Sequence, residues 1–545
     1  MFLVVFAGLT LITGCAKPSS KKTEEAAPAA QQQAASKEKV LIVAVPADID
    51  TFDPAFTVGT RTSQTTIQNT FDQLDQYRLV EKTAADGYKY FMVDTNNIDG
   101  MLASSRTTSA DGKTVTWKLR DGVKFQDGKP VTATDIVEGY RRIYEAQGIS
   151  SFLLTMGSVM KPDYFKAVDE KTVQMKMDVA NQLVVMNNVM HNTSAISQEQ
   201  LKKYATSSDP WGKEQLKKTL APGTGPFIFE EYKPGDRIVL KANPNYWGGK
   251  PKLDKVILKI VPDATQRILL LKKGEVDMIE APPVKDLDTL KQDPNVRVVS
   301  VETPRSVHLQ LNYSIAPFGN KLVRQAVAYA VPYDSIVKDV YKGYATRSMS
   351  LVTKGMPGHD PSAWKYNTDI AKAKELMTKA GFPDGKGLPP IKLSVRVGME
   401  EDERSAIFIA NSLKEIGMNV TIEKMPIATF NEQQQGGKLQ FFMDDWISWV
   451  NDPFYHLSWI VGSGSPTNYT KFKNARVDEL IAKYTLSTDT ANRLAAAKEI
   501  QGILAEEVAQ VYLVQPTWNV PMRKNVTGYA YLNDELPRFF YMDKQ

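Results

Sequence analysis

Ile391-Lys392-Leu393-Ser394-Val395-Arg396-Val397 alternates apolar and polar residues with the two-residue period of a β-strand. The period then changes. Glu403–Ile416 carries Ile407, Phe408, Leu413 and Ile416 near helical spacing, and Gly417 stands where such a helix would stop. Strand character resumes at Val420-Thr421-Ile422. Strand, helix and strand in succession predict a βαβ unit, two parallel strands joined by a right-handed crossover. A sheet of parallel strands needs helices on its faces, so this segment assigns the chain to the α/β class.

The same alternation appears elsewhere. Val40-Leu41-Ile42-Val43-Ala44-Val45 is a continuous apolar run, as in a strand buried on both faces, and Pro46 with the Asp/Thr/Pro-rich stretch to Pro54 ends it. Ile370–Ala380 reads as a helix closed by Gly381, and Val256–Val261 and Leu439–Met443 read as strands. No repeat of fixed period is present. A chain of 545 residues is too long for one small core, so more than one domain and more than one sheet are expected.

Composition narrows the function classes. Hydrophobic residues make up 42% and charged residues 24%, an ordinary soluble balance. The net charge of +5, from 67 basic and 62 acidic side chains spread along the chain, is too weak for a nucleic-acid footprint. The single cysteine, Cys15, excludes an internal disulfide and a CxxC zinc or redox site. His191, His308, His359 and His456 stand apart without HExxH spacing, and neither a GxSxG elbow nor a P-loop string occurs. Binding rather than turnover is therefore expected, with no cofactor, no metal and no catalytic residue; an enzyme assembled from distant groups is the main rival.

The chain opens MFLVVFAGLTLITG. The apolar run Phe2–Ile12 matches the core of a secretory signal and is short for a bilayer span. Ile12-Thr13-Gly14-Cys15 resembles the lipobox of bacterial lipoproteins, although no Lys or Arg precedes the apolar run. The resemblance implies a signal peptide over 1–14, cleavage before Cys15 and attachment of diacylglycerol to its thiol. Residues 16–38, AKPSSKKTEEAAPAAQQQAASKE, contain no aromatic and no aliphatic side chain larger than Ala. Such a segment cannot bury enough apolar surface to order itself, and 15–38 is expected to be a flexible tether to a membrane.

Leu119–Tyr140 reads LRDGVKFQDGKPVTATDIVEGY. Asp121-Gly122 and Asp127-Gly128 are turn dipeptides around a short strand holding Val123 and Phe125. Thr132 with Asp135 three residues on reads as a capping box, and Ile136, Val137, Tyr140, Ile143 and Tyr144 mark an amphipathic helix. The string resembles the signature of the peptide/nickel class, family 5, of the extracellular solute-binding proteins of ABC transporters. Gly223–Tyr246, GTGPFIFEEYKPGDRIVLKANPNY, followed by Trp247, is similar to that family's GTGP strand and NxxYW element. LNYSIAPFGNKLVRQAVAYAVPYDSIVKDVYKG over Leu311–Gly343, the helix Ala371–Gly381 and the turn Asp452-Pro453 resemble three further family segments in the same order.

The resemblance implies a two-lobed, periplasmic-binding-protein-like clamshell of type II. Lobe I is expected at 39–80, 190–305 and 516–545, an inserted subdomain of lobe I at 81–189, and lobe II at 306–515. It further implies an extracytoplasmic monomer, in the periplasm or at the cell surface, that captures di- or oligopeptides between its lobes and delivers them to the permease of an ABC importer. Same-fold carriage of a nickel chelate, haem or sugar, and a peptide-sensing receptor, are the alternatives.

The resemblance also assigns site residues. In dipeptide-binding members an Arg of the second lobe pairs with the ligand carboxylate, and an Asp further along the chain holds its ammonium. The Arg corresponds to Arg396, whose guanidinium suits a bidentate grip. At the family spacing the Asp position falls on Trp449, which supplies no anionic acceptor. This leaves Asp444, Asp445 or Asp452 to take over, a longer peptide held without its ends, or a ligand stacked on Trp449. Of these carboxylates, Asp452 joins Arg396 and Trp449 as an expected ligand contact. Thr57-Val58-Gly59-Thr60-Arg61 matches a cleft loop, with Gly59 and Thr60 facing ligand. Trp446 and Trp459 are expected in the core.

Overall fold

The computed structural model describes residues 38–545 except 57–59, 85 and 146–148. Cys15, the signal segment, the tether as far as residue 37, and Gly59 lie outside the described residues. Twelve strands form the main sheet: β1 (Val40–Val45), β2 (Phe227–Lys233), β3 (Arg237–Ala242), β4 (Lys255–Ile260), β5 (Met278–Ile279), β6 (Val296–Glu302), β7 (Ser306–Leu311), β8 (Ala345–Arg347), β9 (Ile391–Arg396), β10 (Val420–Met425), β11 (Phe441–Trp446) and β12 (Val511–Arg523). Their order is β10-β9-β11-β7-β12-β5-β1-β4-β3-β2, with β6 and β8 also paired to β12. As its apolar run requires, β1 is buried on both faces: Leu41, Val43, Ala44 and Val45 have no exposure.

The βαβ unit is present. Strands β9 and β10 pair in parallel with Ile391 opposite Val420, and the helix Glu400–Glu415 joins them. That helix starts earlier than its apolar spacing marks, because Glu400, Glu401, Asp402 and Glu403 fill its first turn, where the helix dipole favours acidic side chains. Gly417 follows the end with φ +80°, a left-handed conformation that glycine adopts without penalty. The helix expected at Ile370–Ala380 spans Ile370–Lys379, and the strand expected at Leu439–Met443 lies two to three residues later, as β11.

The capping box forms: Thr132 N donates to Asp135 Oδ2 at 3.0 Å and Asp135 N to Thr132 Oγ1 at 3.4 Å, at the head of the helix Ala133–Glu145. The strand expected around Val123 and Phe125 reduces to a single bridge between Lys124 and Pro130, since Pro130 has no N–H to extend a ladder. The helix covers a separate four-stranded sheet of Ala103–Thr108, Thr114–Leu119, Thr172–Lys176 and Phe165–Asp169, with Trp117, Tyr140 and Phe165 between the layers. A three-stranded sheet joins the hairpin Asp75–Thr83 and Lys89–Gly100 to Ala530–Tyr531 near the C-terminus. The strand Asp75–Thr83 runs straight through the boundary expected between 80 and 81. Its sequence, DQYRLVEKT, has only Tyr77, Leu79 and Val80 as apolar residues and no sustained alternation to mark a strand, and the hairpin pairs with the C-terminal segment, not with the four-stranded sheet.

Strand β12 divides the main sheet into two halves. Its first part, Val511–Pro516, pairs with β7 and β8; its second, Thr517–Arg523, pairs with β6 and, at Met522, with β5. Next to it the chain passes from β6 to β7 through Thr303–Arg305. Gln515 Nε2 donates to Thr303 O at 2.8 Å and ties the two crossings together. The apolar core around Leu309, Leu393 and Phe441 belongs mainly to one half and takes in Leu153, Met190 and Leu287 of the other, whose own core lies around Leu41, Leu258 and Met522. Two short, adjacent crossings between the two halves form a hinge, where few residues absorb the motion. The architecture is thus a two-lobed α/β clamshell. Among the described residues no helix is long and apolar enough to cross a membrane.

Candidate functional site

A cavity of about 920 Å³ lies between the two halves. The C-terminal ends of β1, β9 and β11 point into it, so Pro46, Arg396, Asp445 and Trp446 line it. This is where α/β sheets present their loops to ligands. Thr60, Arg61 and Gln64 from the helix Arg61–Thr70 and its cap, Phe152 from the helix Ile149–Met156, Asn192 and Asp534 complete one side. Trp449, Tyr455, Trp459 and Tyr469 complete the other. The volume is that of a small-molecule or short-peptide site.

The floor is a chain of charges. Arg396 Nη2 donates to Asp445 Oδ1 at 2.7 Å and to Asp402 Oδ2 at 3.2 Å, and its Nη1 is 3.7 Å from Asp444 Oδ1. Asp445 also accepts from Arg305 Nη1, and Arg305 Nε donates to Glu535 Oε2 at 3.0 Å. Arg61 lies 3.8 Å from the same Glu535 carboxylate, donates to the Glu535 carbonyl, and stacks 4.6 Å over the Trp518 ring. Burial alone would raise the Asp445 carboxyl, but Arg305 and Arg396 outweigh it and hold it well below the usual carboxylate range. Asp444 is the opposite case: burial pushes it up to about 7 despite Arg396.

Among the expected site residues, Arg396, Trp449 and Thr60 all line the cavity. The Trp449 ring lies 5.1 Å from that of His191. Thr60 also caps its helix, accepting from Ser63 N at 3.4 Å and donating to Asp48 O at 2.8 Å. Asp452 is placed elsewhere. It is 2% exposed, does not line the cavity, accepts from Phe454 N at 2.9 Å and Tyr455 N at 3.0 Å, and pairs with Arg493 at 2.7 Å. An Asp followed by Pro is the pattern of a helix cap with Pro at the first helical position, and here that role takes the carboxylate. Trp459 is buried in the core as expected and the half-buried Trp446 packs against that core, and both also line the cavity. They pack on each other with ring centres 6.1 Å apart, and Phe152 stands edge-on to Trp459 at 4.5 Å. His456 is fully buried, and burial lowers it to about 3. Among the described residues no three His, Cys, Asp or Glu side chains form a metal-binding group.

Arg305, Glu535 and Arg61 escaped the sequence reading as partners. Arg305 and Glu535 are 230 positions apart, and nothing local marks either. The only signal was that Arg61 ends a loop already expected at the cleft.

The family model for bacterial extracellular solute-binding proteins, family 5 Middle, matches residues 97–468. A probable D,D-dipeptide-binding periplasmic protein of Escherichia coli is 29% identical over 498 residues, covering 90% of this chain and 91% of its own. Heme-binding protein A of Haemophilus influenzae is 29% identical over 467 residues, covering 81% of this chain and 83% of its own. Among solved structures, an ABC transporter-associated periplasmic binding protein of Helicobacter pylori, in complex with the peptide STSA, superposes with a TM-score of 0.81 at 26% identity, over 93% of this chain and 98% of that one.

Proposed function

Since the chain belongs to the bacterial extracellular solute-binding proteins of family 5, we propose that it captures peptides in the cavity between its lobes and delivers them to the permease of an ABC importer. One observation carries this reading: the cavity of about 920 Å³ is lined from both sides of a two-crossing hinge. Closing such a cleft desolvates a guest from two directions and changes the outer surface a permease meets. Lobe II is 306–515 and lobe I the remainder of 39–545, including the hairpin through Gly100. The pairing of β12 supports this division. Arg396, Trp449 and Thr60 contact the guest, and the reading includes no chemical step. Cys15 carries a lipid that holds the protein at the outer face of a bacterial membrane, where it works as a monomer.

Native mass spectrometry of the purified protein, with and without a random peptide pool, tests the capture. Bound peptide masses and a raised unfolding temperature are expected; a protein that takes up none of the pool overturns the reading. Cell fractionation tests the anchor. Cys15→Ser is expected in the soluble fraction, and a variant that stays with the membrane removes the lipid from the account.

A further inference from the structure

We infer that this cavity selects a peptide bringing no charged terminus to its floor, an end-blocked or cyclic peptide with an aromatic side chain, over a zwitterion. The inference deepens the peptide-capture reading and rests on it.

The charges at the floor are already balanced. Three cations, Arg61, Arg305 and Arg396, face Asp402, Asp445 and Glu535 through the contacts described above. Asp444, a fourth carboxyl 3.7 Å from Arg396, is pushed up to about 7 by burial and leaves Arg396 no freer. An incoming carboxylate would find each guanidinium engaged, with Asp445 2.7 Å from Arg396. An incoming ammonium fares no better. Asp445 is shared by two arginines, and Asp534, the other carboxylate lining the cavity, pairs with Arg538 at 3.0 Å and accepts from Leu536 N at 3.0 Å. In a buried site a charge without a partner is costly, so a guest with charged ends must dismantle an existing pair.

The cavity also offers neutral polar groups, among them Thr60, Asn431, Gln435 and Thr467. The indole Nε1 of Trp446 and the Nε of Arg396 are buried, and neither has a hydrogen-bond partner among the described residues. Both are donors only, and both residues line the cavity. Buried donors are normally satisfied. Neither atom is itself exposed to the cavity, and a shift of these side chains on binding would turn them toward carbonyl oxygens of a guest. The wall beside them is aromatic: Phe152, Trp449, Tyr455 and Trp459 offer flat apolar faces for a ring.

Calorimetry with matched peptides of two to five residues, each containing phenylalanine, tests the inference. Each length is supplied as a zwitterion, as an N-acetyl acid and as an N-acetyl amide, with the cyclic dipeptide added. At the length that binds, the N-acetyl amide or the cyclic form is expected to bind at least tenfold more tightly than the zwitterion. Asp445→Asn, which frees a cation, is expected to shift preference toward the N-acetyl acid. A zwitterion that binds within threefold of its blocked partner, or better, overturns the inference and leaves peptide capture standing. Absence of binding at every length and end state removes peptide capture itself, and this inference with it.

Discussion

Asp444 lies 3.7 Å from Arg396 and accepts from Gln434 Nε2 at 2.7 Å, yet burial raises its carboxyl from 3.8 to about 7. The unfolded chain releases this proton near the ordinary value, while the folded protein keeps it until about 7. Across that window the folded state binds more protons, so this group makes stability fall as pH rises. His308 works the other way: burial lowers it from 6.5 to about 4, so its contribution grows with pH over that range. Because His308 remains in both proteins, Asp444→Asn isolates the carboxyl. Urea titrations at pH 5 and pH 8 are expected to show the variant gaining about 2–3 kcal/mol over the wild type as pH rises. Parallel curves for the two proteins would remove the raised carboxyl. Asp452 gives a second test at this scale. Asp452→Ala leaves the buried Arg493 unpaired and uncaps a helix, at a cost of about 3–5 kcal/mol. Peptide affinity of the folded variant is expected to stay within about twofold, since Asp452 does not line the cavity. A large affinity loss without destabilisation would return it to the site. The sequence reading reached Arg396 through the family resemblance, which maps onto a strand that the local pattern makes visible. It missed Arg305 and Glu535 because their pairing exists only after 230 residues have folded between them.

Elements were legible wherever local chemistry decides them. The run Val40–Val45 and the unit from Ile391 to Met425 stood out because period, stop signal and burial all agree. The stop itself is testable. At Gly417, with φ +80°, an added Cβ would sit 2.2 Å from the Asp384 carbonyl carbon, inside the loop that packs against this helix end. At Gly343, with φ +84°, an added Cβ meets nothing within 4 Å. Gly343→Ala is expected to cost about 1–2 kcal/mol, the conformational penalty alone, and Gly417→Ala more, because its clash is with backbone that cannot rotate away. Equal losses in thermal unfolding would show that the approach of Asp384 is soft. Strand β12 was not legible as one element. It changes partners midway, from β7 and β8 to β6 and β5, and no residue-level period records which sheet a strand joins. The tryptophan-rich stretch was legible in part: Trp459 lies in the core as expected and Trp446 packs against it, but both also border the gap between the two bodies, which composition does not mark.

At the scale of the whole molecule, the charge chain also acts as a clasp. Asp445 belongs to β11 in one half, Glu535 follows the strand Ala530–Tyr531 that pairs with the hairpin of the other half, and Arg305, in one crossing, holds both. Outside the cavity, Glu401 Oε1 accepts from Val284 N at 2.7 Å and Lys285 pairs with Glu400 at 2.7 Å, so the two halves touch at more than the hinge. Without Arg305, two carboxylates would face each other across the cleft with less compensation, and their repulsion favours separation of the lobes. Small-angle scattering of Arg305→Met without ligand is therefore expected to show a larger radius of gyration than the wild type. If one molecule in ten then holds the closed form, apparent peptide affinity falls about tenfold. Adding Glu535→Gln removes one of the opposed charges and is expected to recover part of both losses, which separates a clasp from a general loss of folding. Superimposable scattering curves for Arg305→Met and wild type would mean that the contacts of Glu400 and Glu401 hold the lobes together by themselves. The balance of charges at the floor would then bear on the guest alone and not on closure.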